Sequence, residues 1–332
     1  MNTVLVVDDK KDFLDSTLRA LRKEPYRILS ASNSHRAFRI LETVNIDLVV
    51  SDYQMPGVSG MDLLKKIRVE YPHIAIVVLT GISDVHLAIG AVNIIGVDGF
   101  HIKPVNYSNF KTHLSRIMES LNASRDIDHL LQHMKAMDSI FQMLEQRNPG
   151  ITKKNEIILR GPIMRPEHTV LVVDDEVDFL KTMRRILRKE PYRVLTAENG
   201  LDALHLLETN DVDLVISDYM MPEMDGLSML RIVRQKYAHI VTIMLTAASD
   251  LEVALKAVNN VGVYKYFLKP VDPDNLRADL RRSLASLDLI LERDNLRDQL
   301  KKADATLCSL EREYPGITSV TKDSEGYYLI ED

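Results

Sequence analysis

Val4-Leu5-Val6-Val7-Asp8-Asp9 decides the fold. Four apolar residues, three of them β-branched, run without interruption and stop on two acids. So short a run is too brief for a helix and reads as a strand buried on both faces, as at the centre of a parallel sheet. Outward from it, Lys11 to Lys23 carries Phe13, Leu14, Leu18 and Leu21 at helical spacing, and Tyr26 to Ala31 is a second strand. Ala37, Ile40, Leu41 and Val44 mark a second helix, Asp47 to Ser51 a third strand and Met61 to Tyr71 a third helix. Ile74 to Leu79, Val85 to Ile95 and Val97 to Ile102 continue as strand, helix and strand, and a long helix starts at Asn106. Strict alternation predicts an α/β, doubly wound parallel sheet of five strands with helices on both faces.

The opening hexapeptide returns as Val170-Leu171-Val172-Val173-Asp174-Asp175. Glu24-Pro25-Tyr26-Arg27 returns as Glu190-Pro191-Tyr192-Arg193, Ser51-Asp52-Tyr53 as Ser217-Asp218-Tyr219, and Lys103-Pro104-Val105 as Lys269-Pro270-Val271. Every pair is 166 positions apart, so the chain is an undisturbed duplication of a domain-sized unit. The length of 332 residues suits two domains, and 45% hydrophobic with 27% charged residues is an ordinary globular composition. A net charge of -6 gives no strong pull toward nucleic acid or an anionic membrane. A single cysteine, Cys308, excludes a disulfide scaffold and a multi-cysteine metal site. The longest apolar runs fall far short of the roughly 18 residues of a membrane span, and Val4 leaves no room for a secretory signal. A cytoplasmic chain is expected. Residues 1–166 hold 21 Lys+Arg against 18 Asp+Glu, so most of the negative charge lies in the second half.

Past the fifth strand of each copy the helical pattern overruns the domain. Leu130, Met134, Met137, Phe141 and Leu144 step 4-3-4-3, and Leu296, Leu300, Ala303, Leu307 and Leu310 follow the same heptad phase. A seam this short needs a partner helix, from the other copy or from a second chain in a homodimer. The phase slips near Ser124 to Asp128, where a kink or a change of partner is expected. Pro149-Gly150 and Pro315-Gly316 are helix stops, and Glu156 to Leu159 and Gly326 to Ile330 read as short strands. The expected boundaries are a first domain over 1–121, its helical extension over 122–150 and a linker over 151–167. A second domain follows over 168–287, an extension over 288–314 and a tail over 315–332. His129 and His133 read as solvent-facing, and Cys308 as seam packing.

Ligands of a doubly wound sheet bind beyond the carboxyl ends of its strands. Those ends carry Asp8, Asp9, Asp52, Thr80 and Lys103 in the first copy, and Asp174, Asp175, Asp218, Thr246 and Lys269 in the second. Strands one and three can be neighbours about 5 Å apart, where two carboxylates repel by about 3 kcal/mol at an effective dielectric of ~20. Either their pKa values rise or a cation sits among them. Oxygen donors with open positions suit Mg²⁺. A metal site beside a lysine and a hydroxyl suits phosphoryl handling. No GxxxxGK[ST] or GxGxxG loop is present, which argues against a held nucleotide. The phosphoryl group then goes onto the protein, with Asp52 or Asp218 as the nucleophile of an acyl phosphate.

Each copy resembles the receiver domain of bacterial two-component response regulators. The likeness rests on the acidic doublets, on Asp52 with Met55-Pro56 and Gly60, on Asp218 with Met221-Pro222 and Gly226, on Thr80 and Thr246, and on Lys103-Pro104 and Lys269-Pro270. It implies a flavodoxin-like strand order 2-1-3-4-5, cis Lys-Pro bonds, and phosphotransfer from a sensor histidine kinase or phosphotransfer protein. It implies Asp9 and Asp175 as direct Mg²⁺ ligands, Asp8 and Asp174 acting through water, and backbone carbonyl ligands at Gln54 and Met220. It makes Phe100 and Tyr266 the aromatic partners of Thr80 and Thr246 in a switch. Positions two beyond the nucleophile (Gln54, Met220) and two beyond the threonine (Ile82, Ala248) influence hydrolysis in that family, so the second copy is expected to hold its phosphate longer. Lys10 stands where the second copy has Glu176, and an extra cation there is expected to weaken metal binding in the first. The expected activity is self-catalysed phosphoryl acceptance and hydrolysis without an output enzyme, and the expected contacts exclude nucleic acid and membrane. The rival reading is a structural dimerisation scaffold with inert receivers.

Overall fold

The computed structural model describes residues 1–57, 59–81, 96–147, 167–237, 239–247 and 265–313. The first half runs β1 (Asn2–Val7), α1 (Lys11–Leu21), β2 (Tyr26–Ala31), α2 (Ser34–Thr43), β3 (Leu48–Asp52), α3 (Gly60–Glu70), β4 (Ala75–Thr80), β5 (Gly99–Ile102) and α4 (Tyr107–Arg147). The second runs β6 (His168–Val173), α5 (Val177–Leu187), β7 (Tyr192–Ala197), α6 (Gly200–Thr209), β8 (Leu214–Asp218), α7 (Gly226–Lys236), β9 (Val241–Ala247), β10 (Lys265–Lys269) and α8 (Pro273–Glu313). The expected helix Val85–Ile95, both Pro-Gly stops, the linker, both terminal strand readings and positions 82 and 248 lie outside the described residues.

Both sheets are five-stranded and parallel, ordered β2-β1-β3-β4-β5 and β7-β6-β8-β9-β10. These are two flavodoxin-like, doubly wound domains, each followed by an extended helix. Every residue of β1 and β3 is buried, the double-sided burial that the unbroken apolar runs demanded. Strand five is shorter than expected: Val97 is buried but precedes the ladder, which begins at Gly99. Register carries the chemical residues to one edge. Val7 pairs with Ser51, Asp52 with Leu79 and Thr80 with Ile102, so Asp8, Asp52, Thr80 and Lys103 all fall at the carboxyl ends.

Residues Met1–Met118 with Glu167–Leu284 form one compact unit, and Glu119–Pro166 with Ala285–Asp332 another. In the second unit the two extensions pack on each other. Ile127, Leu130, Met134, Met137, Ile140 and Leu144 form one core with Leu296, Leu300, Ala303, Leu307 and Leu310. The partner of each seam is thus the other copy within the same chain. Arg297 Nη2 meets Asp126 Oδ2 at 2.5 Å and Arg293 Nη2 meets Glu119 Oε1 at 3.0 Å across this pair. α4 stays helical through Ser124–Asp128, so the slipped phase is not a break. Ile140 is buried and Phe141 only half-buried, which moves the seam by one residue there. Cys308 is exposed, a correction to its assignment as packing. His129 is exposed, whereas His133 is half-buried, their rings edge-on with centroids 4.2 Å apart. Among the described residues no helix is long and apolar enough to cross a membrane.

Candidate functional site

In each half a lysine from the end of strand five reaches back over the sheet to two acids. Lys103 Nζ lies 2.5 Å from Asp8 Oδ2 and 2.7 Å from Asp52 Oδ2. Lys269 Nζ lies 2.7 Å from Asp174 Oδ2 and 2.9 Å from Asp218 Oδ1. The far oxygens of the first acids accept backbone N–H groups, Lys10 N on Asp8 at 2.8 Å and Glu176 N on Asp174 at 3.0 Å. Each acid at the end of strand one is thereby fixed from both sides. The ammonium also sits over an aromatic face, 4.4 Å from the ring centre of Phe13 for Lys103 and of Phe179 for Lys269. The sequence reading placed Phe13 on a helix but gave it no part in the site. Its helical period shows burial, and nothing in that period shows a cation above the ring. The peptide bonds Lys103-Pro104 and Lys269-Pro270 are both cis.

Each ammonium is shared by two buried carboxylates. Burial pushes the Asp52 carboxyl above the ordinary carboxylate range, with the Lys103 hydrogen bond offsetting part of the rise. Burial raises Asp174 and Asp218 likewise, against the pull of Lys269. Burial alone would lower Lys269, but its bonds to both acids outweigh that and raise it. Asp8 and Asp174 are fully buried, whereas Asp9 and Asp175 are exposed. Ligand oxygens of Asp8, Asp9 and Asp52 lie within 4.8 Å of one another, a donor set that fits a hard divalent cation. Among the described residues no other such group of three gathers so closely.

Thr80 and Thr246 are buried at the ends of β4 and β9, each hydroxyl donating to the next carbonyl (Gly81 O, Ala247 O) at 3.3 Å. Phe100 and Tyr266 are buried on the neighbouring strand. Met220 is 57% exposed, so this apolar side chain stands in water beside Asp218 where the first copy has the exposed amide Gln54. Gly60 and Gly226 have a steric reason. A Cβ on either would lie 1.8 Å from the backbone oxygen of Asp52 or Asp218, so only glycine lets the helix start this close to the acid.

Comparison with known proteins bears on both halves. The family model of the response regulator receiver domain matches residues 4–115 and 170–281. The hydrogenase transcriptional regulatory protein HoxA of Cupriavidus necator is 37% identical over 121 residues, 36% of this chain and 25% of that protein. The transcriptional regulatory protein ZraR of Escherichia coli O157:H7 is 36% identical over 121 residues, 36% of this chain and 27% of that protein. The chain spans about a quarter of the length of these curated relatives. The signal receiver domain of an HD domain-containing protein from Pseudomonas fluorescens Pf-5 has 33% sequence identity and a TM-score of 0.37, covering 39% of this chain and 95% of that one.

Proposed function

Because the chain belongs to the response regulator receiver family in both of its halves, we propose that it is a tandem-receiver phosphoacceptor in two-component signalling. Asp52 and Asp218 are its phosphoacceptors. The observation that carries this is the lysine bridge between two buried acids, present twice with the same partners.

A carboxylate oxygen of Asp52 or Asp218 attacks phosphorus of a phosphohistidine on a sensor kinase or phosphotransfer protein. The P–N bond breaks as the O–P bond forms, and the departing imidazole nitrogen keeps its electron pair. Asp8, Asp9, Asp52 and the Gln54 carbonyl would hold Mg²⁺ in the first half, and Asp174, Asp175, Asp218 and the Met220 carbonyl in the second. The ion supplies charge neutralisation at the phosphoryl oxygens. Lys103 and Lys269 supply a second cation, and the hydroxyls of Thr80 and Thr246 turn from their own backbone toward the new anion. Burial raises the Asp52 and Asp218 carboxyl pKa values, and an incoming cation would favour their charged forms.

Its partners on this reading are proteins rather than nucleic acid or lipid, its location is cytoplasmic, and it has no output reaction beyond hydrolysis of the acyl phosphate. The curated relatives are named transcriptional regulators, and the part they share with this chain is receiver-sized. A DNA mobility shift with the phosphorylated chain tests that assignment. The decisive experiment is intact mass after treatment with a small acyl-phosphate donor and Mg²⁺. The wild-type chain gains two phosphoryl groups, Asp52→Asn and Asp218→Asn gain one each, and the double variant gains none. No gain in the wild type, or a gain in the double variant, rejects the reading in favour of an inert scaffold.

A further inference from the structure

Phe13 and Phe179 hold the same place in the two copies, and the reaction described above gives neither ring a part. The helices that carry them diverge around that place. Lys11-Asp12-Phe13-Leu14-Asp15 corresponds to Val177-Asp178-Phe179-Leu180-Lys181, with charge lost at the first position and reversed at the last. The backbone ties each ring to the acids. Lys10 N donates to Asp8 Oδ1 at 2.8 Å, and Lys10 O accepts from Phe13 N and Leu14 N, both at 3.1 Å. Glu176 N donates to Asp174 Oδ1 at 3.0 Å, and Glu176 O accepts from Leu180 N at 3.1 Å. One peptide thus anchors both the acid at the strand end and the first turn of the helix. Leu14 and Leu180 go into the core, whereas the rings beside them are only half-buried. Packing at this turn falls to the leucine. The face of the ring goes to the site lysine, whose Nζ lies 4.4 Å from the ring centre in both copies.

The acids alone are an unsteady seat for that lysine. Each ammonium has three N–H donors, and two acids that also serve the cation site engage it. A divalent ion among those acids neutralises them and repels the ammonium at short range. The carboxylates then hold the lysine less firmly where phosphorus arrives. The negative face of an aromatic ring is a fixed quadrupole, and metal binding leaves it in place. The side chains of Lys103 and Lys269 are 15% and 18% exposed, so water has a path to each ammonium and a released lysine has somewhere to go.

We propose, on the phosphoacceptor reading of Asp52 and Asp218, that Phe13 and Phe179 are positioning residues whose aromatic faces keep the site lysine seated while a divalent cation occupies the acids. The ammonium is then in place for the incoming phosphoryl oxygens, where it stabilises developing charge. Neither ring donates or accepts a proton, and its effect reaches the reaction through the lysine. The rate falls with the fraction of time the lysine spends elsewhere, and a cation–π contact of ordinary strength changes that fraction roughly fivefold.

The full chain carrying Asp52→Asn isolates Asp218, and intact mass times its phosphoryl gain from a small acyl-phosphate donor with Mg²⁺. Phenylalanines bearing one, two and three fluorines at position 179 keep the shape of the ring and drain its face of negative charge step by step. The rate is expected to fall in the same steps, to roughly a fifth of the parent rate with three fluorines. Phe179→Tyr is expected to stay near the parent rate, and Phe179→Leu to be as slow as the trifluorinated chain. A ring that only fills space predicts parent rates for all three fluorinated chains. That result overturns the proposal, as does a rate that rises. Where Phe179→Leu fails to fold, the fluorinated chains decide. NMR of the Lys269 ammonium gives a reading that needs no phosphate. With Mg²⁺ present its hydrogens are expected to exchange with water roughly fivefold faster in Phe179→Leu and in the trifluorinated chain. Unchanged exchange sinks the proposal even in a chain that takes phosphate. Faster exchange in these variants of a parent that gains no phosphate supports the seat and rejects the phosphoacceptor reading alone.

Discussion

Lys103 and Lys269 each stand between two acids, and their removal separates two effects of opposite sign. Lys269→Met leaves Asp174, fully buried, and Asp218 without a counter-ion, which is expected to cost on the order of 3 kcal/mol of stability in metal-free buffer. The same change raises the negative charge facing a divalent cation. Mg²⁺ is then expected to raise the melting temperature of the variant more than that of the wild type. An equal Mg²⁺ response in both would show that the three acids do not bind the ion. Glycine makes a second contrast. Gly60→Ala drives a Cβ into the Asp52 carbonyl and is expected to cost more than about 3 kcal/mol, because backbone rather than a flexible side chain must yield. Gly57→Ala has open space and only a φ of +86° to strain, and is expected to cost about 1 kcal/mol. Urea titration of each variant measures the difference.

At the scale of elements, the extensions form a pair whose halves are not interchangeable. Leu300 packs in a core with Met134 and Met137, and Leu300→Ala is expected to cost about 2–4 kcal/mol. Arg293, 7% exposed, takes the duplicated place of Ile127. A buried arginine opposes α8 pairing with a second α8, since two such side chains would share one layer. Arg293→Leu is therefore expected to keep or raise stability and to let the chain self-associate at high concentration, which sedimentation velocity detects. The seam itself was legible, because leucines at 4-3 spacing have few other uses. Its partner was not, because a heptad says what a helix needs and not where the complement lies. The shift from Phe141 to Ile140 was hidden for a related reason, as both are apolar and only the facing side chains choose between them. The strand-end acids were readable because a charged residue after an apolar strand has one place to go. Lys265–Asp279 and His101–His113 were invisible because each joins residues 12 or more apart whose meeting depends on packing.

The molecule as a whole carries two copies of one fold with different responses to acid. Glu190 is held below the ordinary carboxylate range chiefly by its hydrogen bonds to Arg281, at 2.5 and 2.8 Å. A depressed carboxyl stabilises above its unfolded pKa, and that support in the second receiver fades only as pH falls below about 4.5. Asp52, Asp174 and Asp218 have raised values and act in the opposite sense, costing least when protonated, so acid eases both sites. The difference between the halves comes from the imidazoles. Depressed histidines stabilise at high pH, and the unfolded chain takes up their protons from about 6.5 downward. With His101 at about 4, that residue alone removes about 3 kcal/mol from the first receiver over the interval, whereas Phe267 at the same place in the second copy has no ionisable group. Urea unfolding followed by exchange on peptides from each half should show near-equal midpoints at pH 7.5. At pH 5 the first receiver should unfold at lower urea, and His101→Phe should close the gap. Midpoints that fall together at every pH would mean that the two copies unfold as one body and that the histidine pair does not set the acid limit.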